Sequence, residues 1–220
     1  MLRRRAAIAF TLLPVLALAA CSSSAKTASP STTTTTSPPA PTVGALPWPA
    51  PADAMARTHA AGLVPRGYET LQHHVHAHLD VFLNGVHQVV PAGLGINIKD
   101  PAVHTGQVDG QPAYGGISPP CKQACISPLH THDVSGVLHT ESPTNVDNTL
   151  GELFVEWNVK LSADCAGGYC KPNWPVAFYV DGARYKGDPT KIALTNHKEI
   201  AVIIGKPPAQ IPAAADFSAA

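Results

Sequence analysis

The chain has 220 residues, 14% of them charged, and its 15 basic residues are balanced by 15 acidic ones. The first 20 residues contain three arginines and no acidic residue, so the chain after them holds 12 basic and 15 acidic residues. A mildly acidic chain without a basic patch is atypical of nucleic-acid-binding proteins. We therefore expect no nucleic-acid partner.

Residues 1–20 have the pattern of an export signal. Arginines at positions 3–5 precede a 15-residue apolar run from Ala6 to Ala20. That run is shorter than the roughly 20 residues of a membrane-spanning helix. A short apolar run behind basic residues predicts a signal peptide that is removed on export.

The end of this run carries the most specific motif in the chain. The string Leu18-Ala19-Ala20-Cys21 resembles the lipobox of bacterial lipoproteins. The resemblance implies cleavage before Cys21 and lipidation of its thiol, which would anchor the protein to the extracytoplasmic face of the cell membrane. An ordinary secretory signal followed by a chance cysteine is the alternative.

Composition divides the remaining chain into three parts. Residues 21–47 are rich in Ser, Thr and Pro, and this composition predicts a disordered tether because it offers little apolar surface to bury. Residues 48–205 are long enough for a single domain with its own core. Residues 206–220, rich in Pro and Ala, predict an extended tail.

Four further cysteines lie in the predicted domain, at Cys121, Cys125, Cys165 and Cys170. An even number of thiols in an exported protein predicts two disulfides. Pairing within each close pair and pairing between the two pairs both remain open. A zinc site made of four thiolates is the functional alternative.

The hydrophobic pattern predicts a mainly β fold, a compact antiparallel sandwich or barrel with one short helix at about residues 149–158. Apolar residues alternate from Val75 to Leu83, and Asn84-Gly85 then supplies the residues of a tight hairpin turn. A second hairpin is expected at residues 176–185 around Asp181-Gly182, and a buried strand at 200–204. The Gly- and Pro-rich stretch 99–121 has little pattern.

The helix has both a start signal and a buried face. Thr149 and Glu152 have the spacing of a capping box. An apolar stripe at helical spacing, which we interpret as core, follows at Leu150, Leu153, Phe154 and Trp157.

Clustered histidines are the strongest chemical signal. Of the 11 histidines, nine fall between residues 73 and 139. On the strand that begins near Val75, the histidines at 74, 76 and 78 share the face opposite the apolar one. If residues 129–133 and 137–141 form a hairpin, His130 lies opposite His139 on one face. That register brings together His130, His132, His139 and Glu141.

Imidazoles and a carboxylate suit zinc, copper(II), iron or nickel, and we expect copper or zinc. The predicted metal ligands are His130, His132, His139 and Glu141, with His76 and His78 as further members of the same site. The alternative is that these histidines are polar residues on a solvent-facing strand. His59, His87, His104 and His197 stand apart and are expected to be surface or hydrogen-bonded residues.

Residues 76–96, 129–157 and 165–205 together resemble a group of secreted or lipid-anchored bacterial proteins without a defined activity. The most distinctive string begins at Leu129-His130-Thr131-His132-Asp133 and continues through Gly136, His139 and Glu141. Cupins also begin a metal motif with His-X-His, but the usual glutamate spacing and the second cupin motif are missing, so cupins serve only as an analogy.

The sequence thus favours a lipid-anchored metal-binding protein for acquisition, buffering or detoxification of copper or zinc. A cell-envelope protein with an envelope protein partner, in which metal is structural or absent, is the second hypothesis. A metal-dependent enzyme with Glu141 or Asp133 as general base is the third. No nucleophile or phosphate-binding motif supports a particular reaction.

Overall fold

The computed structural model describes residues 46–218. The predicted signal peptide, the lipidation of Cys21 and nearly all of the tether lie outside these residues. The described chain is mainly β, as predicted, and its strands form open sheets. Open sheets fit a sandwich and not a closed barrel.

The described residues form twelve strands, two α-helices and one turn of 3₁₀ helix. The strands are β1 (His73–Leu83), β2 (Val86–Gln88), β3 (His104–Val108), β4 (Gln111–Gly115), β5 (Leu129–His130), β6 (Val137–Ser142), β7 (Leu161–Ser162), β8 (Cys165–Ala166), β9 (Tyr169–Cys170), β10 (Val176–Val180), β11 (Ala183–Tyr185) and β12 (Glu199–Ile204). The helices are α1 (Ala54–Ala60), α2 (Leu150–Glu156) and the 3₁₀ turn Pro189–Lys191.

One seven-stranded sheet dominates the molecule. Its order is β11-β10-β12-β1-β6-β5, and β2 also pairs with β1. All its pairs are antiparallel except β1 with β12, which run parallel. Both predicted hairpins are confirmed, and their turns Asn84-Gly85 and Asp181-Gly182 have positive φ at both positions, as the favoured two-residue turn requires.

The main hydrophobic core lies on one face of this sheet, covered by α2. The predicted capping box between Thr149 and Glu152 is confirmed, and all four residues of the predicted apolar stripe are buried. Trp48 is 2% exposed and packs edge-on against Phe154 and Trp157. The residues around Trp48 therefore belong to the folded body. Helix α1 was missed by sequence reasoning, and its N-cap Asp53 makes no side-chain capping bond.

The C-terminal residues 206–218 have no helix or strand, but they lie against the opposite face of the sheet. Ile211 packs against a small apolar cluster formed by Phe82, Ala201 and Ile203. Phe217 stacks on the ring of His197, with ring centroids 4.7 Å apart. The predicted extended tail is therefore packed on the domain as far as it is described.

Two disulfides join neighbouring cysteines, Cys121 to Cys125 and Cys165 to Cys170. The pairing within each close pair is thus the one found. Because all four thiols are oxidised, they cannot form the four-thiolate zinc site. Among residues 46–218, neither α-helix has the length and hydropathy needed to span a bilayer.

Candidate metal centre

The sheet register aligns the histidines of three neighbouring strands. His130 on β5 pairs with His139 on β6, which confirms the predicted register. His76 on β1 pairs with His139 from the other side, and His74 pairs with Glu141. Directly opposed residues of antiparallel strands point to the same face. One face of the sheet therefore carries a continuous row of imidazoles with a carboxylate beside it.

The four principal predicted ligands come together. One side-chain nitrogen or oxygen from each lies within 4.8 Å of the others. Three of them are buried and His132 is half-buried. We refer to these residues as the inner group: His130, His132, His139 and Glu141.

Backbone carbonyls fix the protons on two rings of the inner group. The Nδ1 atom of His130 lies 2.9 Å from the Ser127 carbonyl oxygen, and Nδ1 of His132 contacts the Tyr114 carbonyl oxygen. A carbonyl oxygen only accepts hydrogen bonds, so each Nδ1–H is the donor. In a neutral ring this leaves the lone pair on Nε2. Metal-bound histidines are oriented in the same way.

Those two lone pairs face each other across a gap that suits a metal ion. The Nε2 atoms of His130 and His132 are 3.3 Å apart. Two nitrogens bound at 2.0–2.1 Å to a tetrahedral metal are separated by about 3.3 Å. Since both protons are committed to carbonyl oxygens, two neutral rings have no proton with which to bond each other.

The inner group also contains buried polar atoms without partners. Nδ1 of His139 and Oε2 of Glu141 make no hydrogen bond to any part of the described chain. Such atoms are costly in a protein interior and call for a ligand or ion. The other carboxylate oxygen, Oε1 of Glu141, lies 3.8 Å from His130 Nε2 and from His139 Nδ1.

Burial sets the charge of the group. It lowers the pKa of His130 and of His139 far below the usual histidine range, and the neighbouring imidazoles lower both further. Burial, with a smaller contribution from Glu69, raises the pKa of Glu141 to about 7. His130 and His139 are therefore neutral near pH 7, the form in which histidine binds metals.

His74 is the residue that the sequence-based ligand set omitted. Its Nε2 lies 2.9 Å from Nε2 of His76 and 3.4 Å from Oε1 of Glu141. The ligand atoms of His74, His76 and His139 form a second group within 4.8 Å. Strand alternation already placed His74 on the face of His76, so that signal was available in the sequence. We refer to His74 and His76 as the outer pair.

His78 does not join the inner group. Its ligand atom lies within 4.8 Å of those of Asp80 and Glu199, in a set that we refer to as the charged group. Nδ1 of His78 is 2.9 Å from the Glu199 carboxylate, and Nε2 is 2.9 Å from the Ser135 carbonyl oxygen. Both ring nitrogens are engaged, so His78 has no free lone pair for a metal.

The pKa of His78 agrees with this ion pair. Burial lowers it, but the hydrogen bond to Glu199 and the charge of that carboxylate outweigh burial and raise it above the usual value. Glu199 was not foreseen, because it reaches His78 only through the parallel pairing of β1 with β12.

The four histidines set apart in the sequence are not in the three groups. His87 bonds Asp80 at 2.8 Å, and His104 bonds the Ser118 carbonyl oxygen at 3.2 Å. His197 stacks on Phe217, and His59 is exposed on α1.

A cleft of about 720 Å³ opens beside the inner group. Its walls include His74, His132, His139 and Glu141. The stretch 99–121 contributes the β3–β4 hairpin, whose residues also line the cleft. The stretch without a clear pattern is therefore partly ordered as a hairpin that lies against His132. Its backbone supplies the carbonyl oxygen that orients His132.

No protein-family model, curated protein or solved structure matches this chain. Several clusters of histidine and carboxylate side chains in the described residues have the composition and spacing to hold a metal ion.

Proposed function

We propose that this protein is a lipid-anchored, extracytoplasmic protein that binds a transition metal, copper or zinc, through His130, His132, His139 and Glu141. The observation that carries the proposal is the pair of Nε2 atoms, 3.3 Å apart, whose rings donate their Nδ1 protons to backbone carbonyl oxygens. Nitrogen and oxygen ligands suit either metal. At the extracytoplasmic face of the membrane, such a protein would serve in acquisition, buffering or detoxification of that metal.

The proposed location rests on the N-terminal sequence. The arginines, the short apolar run and the lipobox-like string ending at Cys21 support export and lipidation. Two disulfides fit an oxidising compartment. Labelled fatty acid should be incorporated by the wild-type protein in bacterial cells and not by Cys21→Ser. Equal labelling of both proteins would refute the anchor.

The metal proposal is tested on purified protein without a histidine tag. After loading with zinc or copper and dialysis, elemental mass spectrometry should find bound metal in the wild type. His130→Ala/His132→Ala should lose it, because two of the four ligands are removed. His59→Ala is the matched control, since that exposed histidine lies outside all three groups.

A second variant separates ligand loss from unfolding. His130 is fully buried, so its truncation leaves a cavity, whereas His132 is half-buried. His132→Ala alone should therefore keep its thermal unfolding transition and still lose tight binding, by about 100-fold or more. Metal retained at wild-type levels in a folded His132→Ala protein would contradict the proposal, as would a wild type that binds none.

The cleft favours a second candidate, a metal-dependent enzyme. His132, His139 and Glu141 all line it, so a metal held there would face a space large enough for a small molecule. Asp133, one of the two predicted bases, accepts a hydrogen bond from the Ser135 backbone at 2.8 Å within its turn. An enzyme of this kind needs an open metal position. Azide added to the cobalt(II)-loaded protein should change its visible spectrum if that position exists, and an unchanged spectrum would exclude this candidate.

A further inference from the structure

We propose that the protein binds a second transition-metal ion at the outer pair, His74 and His76, and that this outer site shares His139 with the inner group. This inference rests on the proposed metal-binding function, and it adds a second ion, a separate set of ligands and a route by which metal reaches the buried site.

The outer site is built on the longest strand of the sheet. His74 and His76 are two residues apart on β1, so their side chains leave the same face. Pairing of β1 with β6 sets His76 opposite His139 and His74 opposite Glu141. Strand pairing, and not a loop, therefore places the outer pair against the inner group.

The distances fit a metal ion bound by both rings. The Nε2 atoms of His74 and His76 are 2.9 Å apart. Two nitrogens held about 2.0 Å from a metal at a right angle are separated by about 2.8–2.9 Å, the arrangement of copper(II) in a tetragonal site. The same distance also suits a hydrogen bond between neutral rings, so the number of bound ions distinguishes the two arrangements.

His139 stands between the two sites. Its ring centroid is 4.4 Å from that of His76 and 4.3 Å from that of His132. Oε1 of Glu141 is similarly placed, 3.4 Å from His74 Nε2 and 3.8 Å from His130 Nε2. A neutral imidazole offers one lone pair. His139 would therefore hold both ions at once only as an imidazolate, with one ring nitrogen on each ion and its ring proton released to solvent. That proton loss and the repulsion between two cations make the outer ion the weaker of the two.

The outer site and the inner group differ in their exposure to solvent, and we assign them different roles for that reason. The side chain of His74 is 36% exposed and lines the cleft, whereas that of His130 is fully buried. An ion captured from solvent by the outer pair would move inward by exchanging His74 and His76 for His130 and His132, and His139 lies beside the ion in both positions. The outer site is thus a capture site for divalent copper or a similar ion.

The test is a titration of the purified wild-type protein with copper(II), followed by electron paramagnetic resonance. We expect one tightly bound ion and a second, weaker one. The signal should lose intensity and broaden between one and two equivalents, because two copper(II) ions a few ångströms apart couple magnetically. His74→Ala/His76→Ala should bind one ion with the wild-type affinity of the tight site, within about threefold, and show no coupling.

The outcomes separate this inference from the metal-binding function. One copper ion in both the wild type and His74→Ala/His76→Ala would overturn the second site and leave the inner site intact. No copper in the wild type would overturn both. Because His74 is exposed and His76 is half-buried, and neither is part of the hydrophobic core, unchanged thermal unfolding of the double variant is expected and serves as the folding control.

Discussion

The inner group and the charged group lie on the same face of one sheet and use their histidines in opposite ways. In the inner group, His130 and His132 donate their Nδ1 protons to carbonyl oxygens and direct their Nε2 atoms at each other. In the charged group, His78 lies between a carboxylate and a carbonyl oxygen. The first arrangement leaves nitrogen lone pairs unused and the second uses both ring nitrogens. Proximity of histidines to carboxylates therefore does not by itself identify a metal site; the partners of each ring nitrogen do.

His78→Leu should give the largest effect on stability and should leave metal binding unchanged. The Glu199 carboxyl is 1% exposed, and loss of its partner leaves it buried and unpaired. Breaking a buried pair in this way costs about 3–5 kcal/mol of unfolding free energy. Urea unfolding measures the loss and a metal titration gives the affinity. Loss of tight metal binding in a folded His78→Leu protein would show that the charged group takes part in metal binding.

Glu156 on α2 is a useful reference, because it is a buried carboxyl with no histidine beside it. Neither of its oxygens has a hydrogen-bond partner among residues 46–218. Burial raises its pKa to about 8, although the nearby hydroxyls of Ser127 and Thr58 oppose the rise. The folded state therefore holds a proton that the unfolded state has released, and stability falls as the pH rises from about 4.5 through 8.

Glu156→Gln should remove most of this pH dependence. We expect its unfolding free energy to exceed that of the wild type at pH 8 by on the order of 2–4 kcal/mol and to match it near pH 4.5. Urea unfolding at the two pH values gives the comparison. An equal difference at both would mean that ionisation of Glu156 does not matter to the fold.

Local sequence signals predicted the inner group well. The hairpin predicted between residues 129–133 and 137–141 gave the register of His130 with His139, and the capping box at Thr149 located α2. Contacts between distant segments were not predictable. The parallel pairing that brings Glu199 to His78 joins residues 121 positions apart, and no pattern in either strand encodes it.

The backbone contacts that orient the rings of the inner group were not predictable from the sequence either. The Tyr114 carbonyl oxygen that fixes His132 comes from a hairpin in a Gly-rich stretch with no clear strand pattern. Backbone carbonyls carry no sequence signature, so the tautomers of the inner group could be assigned only from the structure.

The affinity of the inner group for metal should depend on pH through Glu141. With a pKa of about 7 in the metal-free protein, Glu141 must release a proton to bind metal at pH 6. The lowered pKa of His130 and of His139 keeps both neutral there, so they release none. Affinity should fall up to about tenfold per pH unit below 7 on account of Glu141.

Calorimetry in two buffers with different ionisation enthalpies counts the released protons. Zinc binding to the wild type at about pH 6 should release nearly one proton from Glu141, and Glu141→Gln should release correspondingly less. An identical count for the two proteins would remove the carboxylate from the ligand set.

The smallest expected effect comes from a change that touches no ligand. Gly115 at the end of β4 has φ +152°, and a Cβ atom there would lie 2.7 Å from Cε1 of His132. Gly115→Ala should tilt that ring away from His130 and weaken metal binding by about tenfold, the usual cost of disturbing an orienting contact. Gly106→Ala is the matched control, because a Cβ atom on that glycine of the same hairpin meets nothing within 4 Å. If the two variants bind metal equally well, the hairpin does not orient His132, and the inner group would depend on the sheet alone.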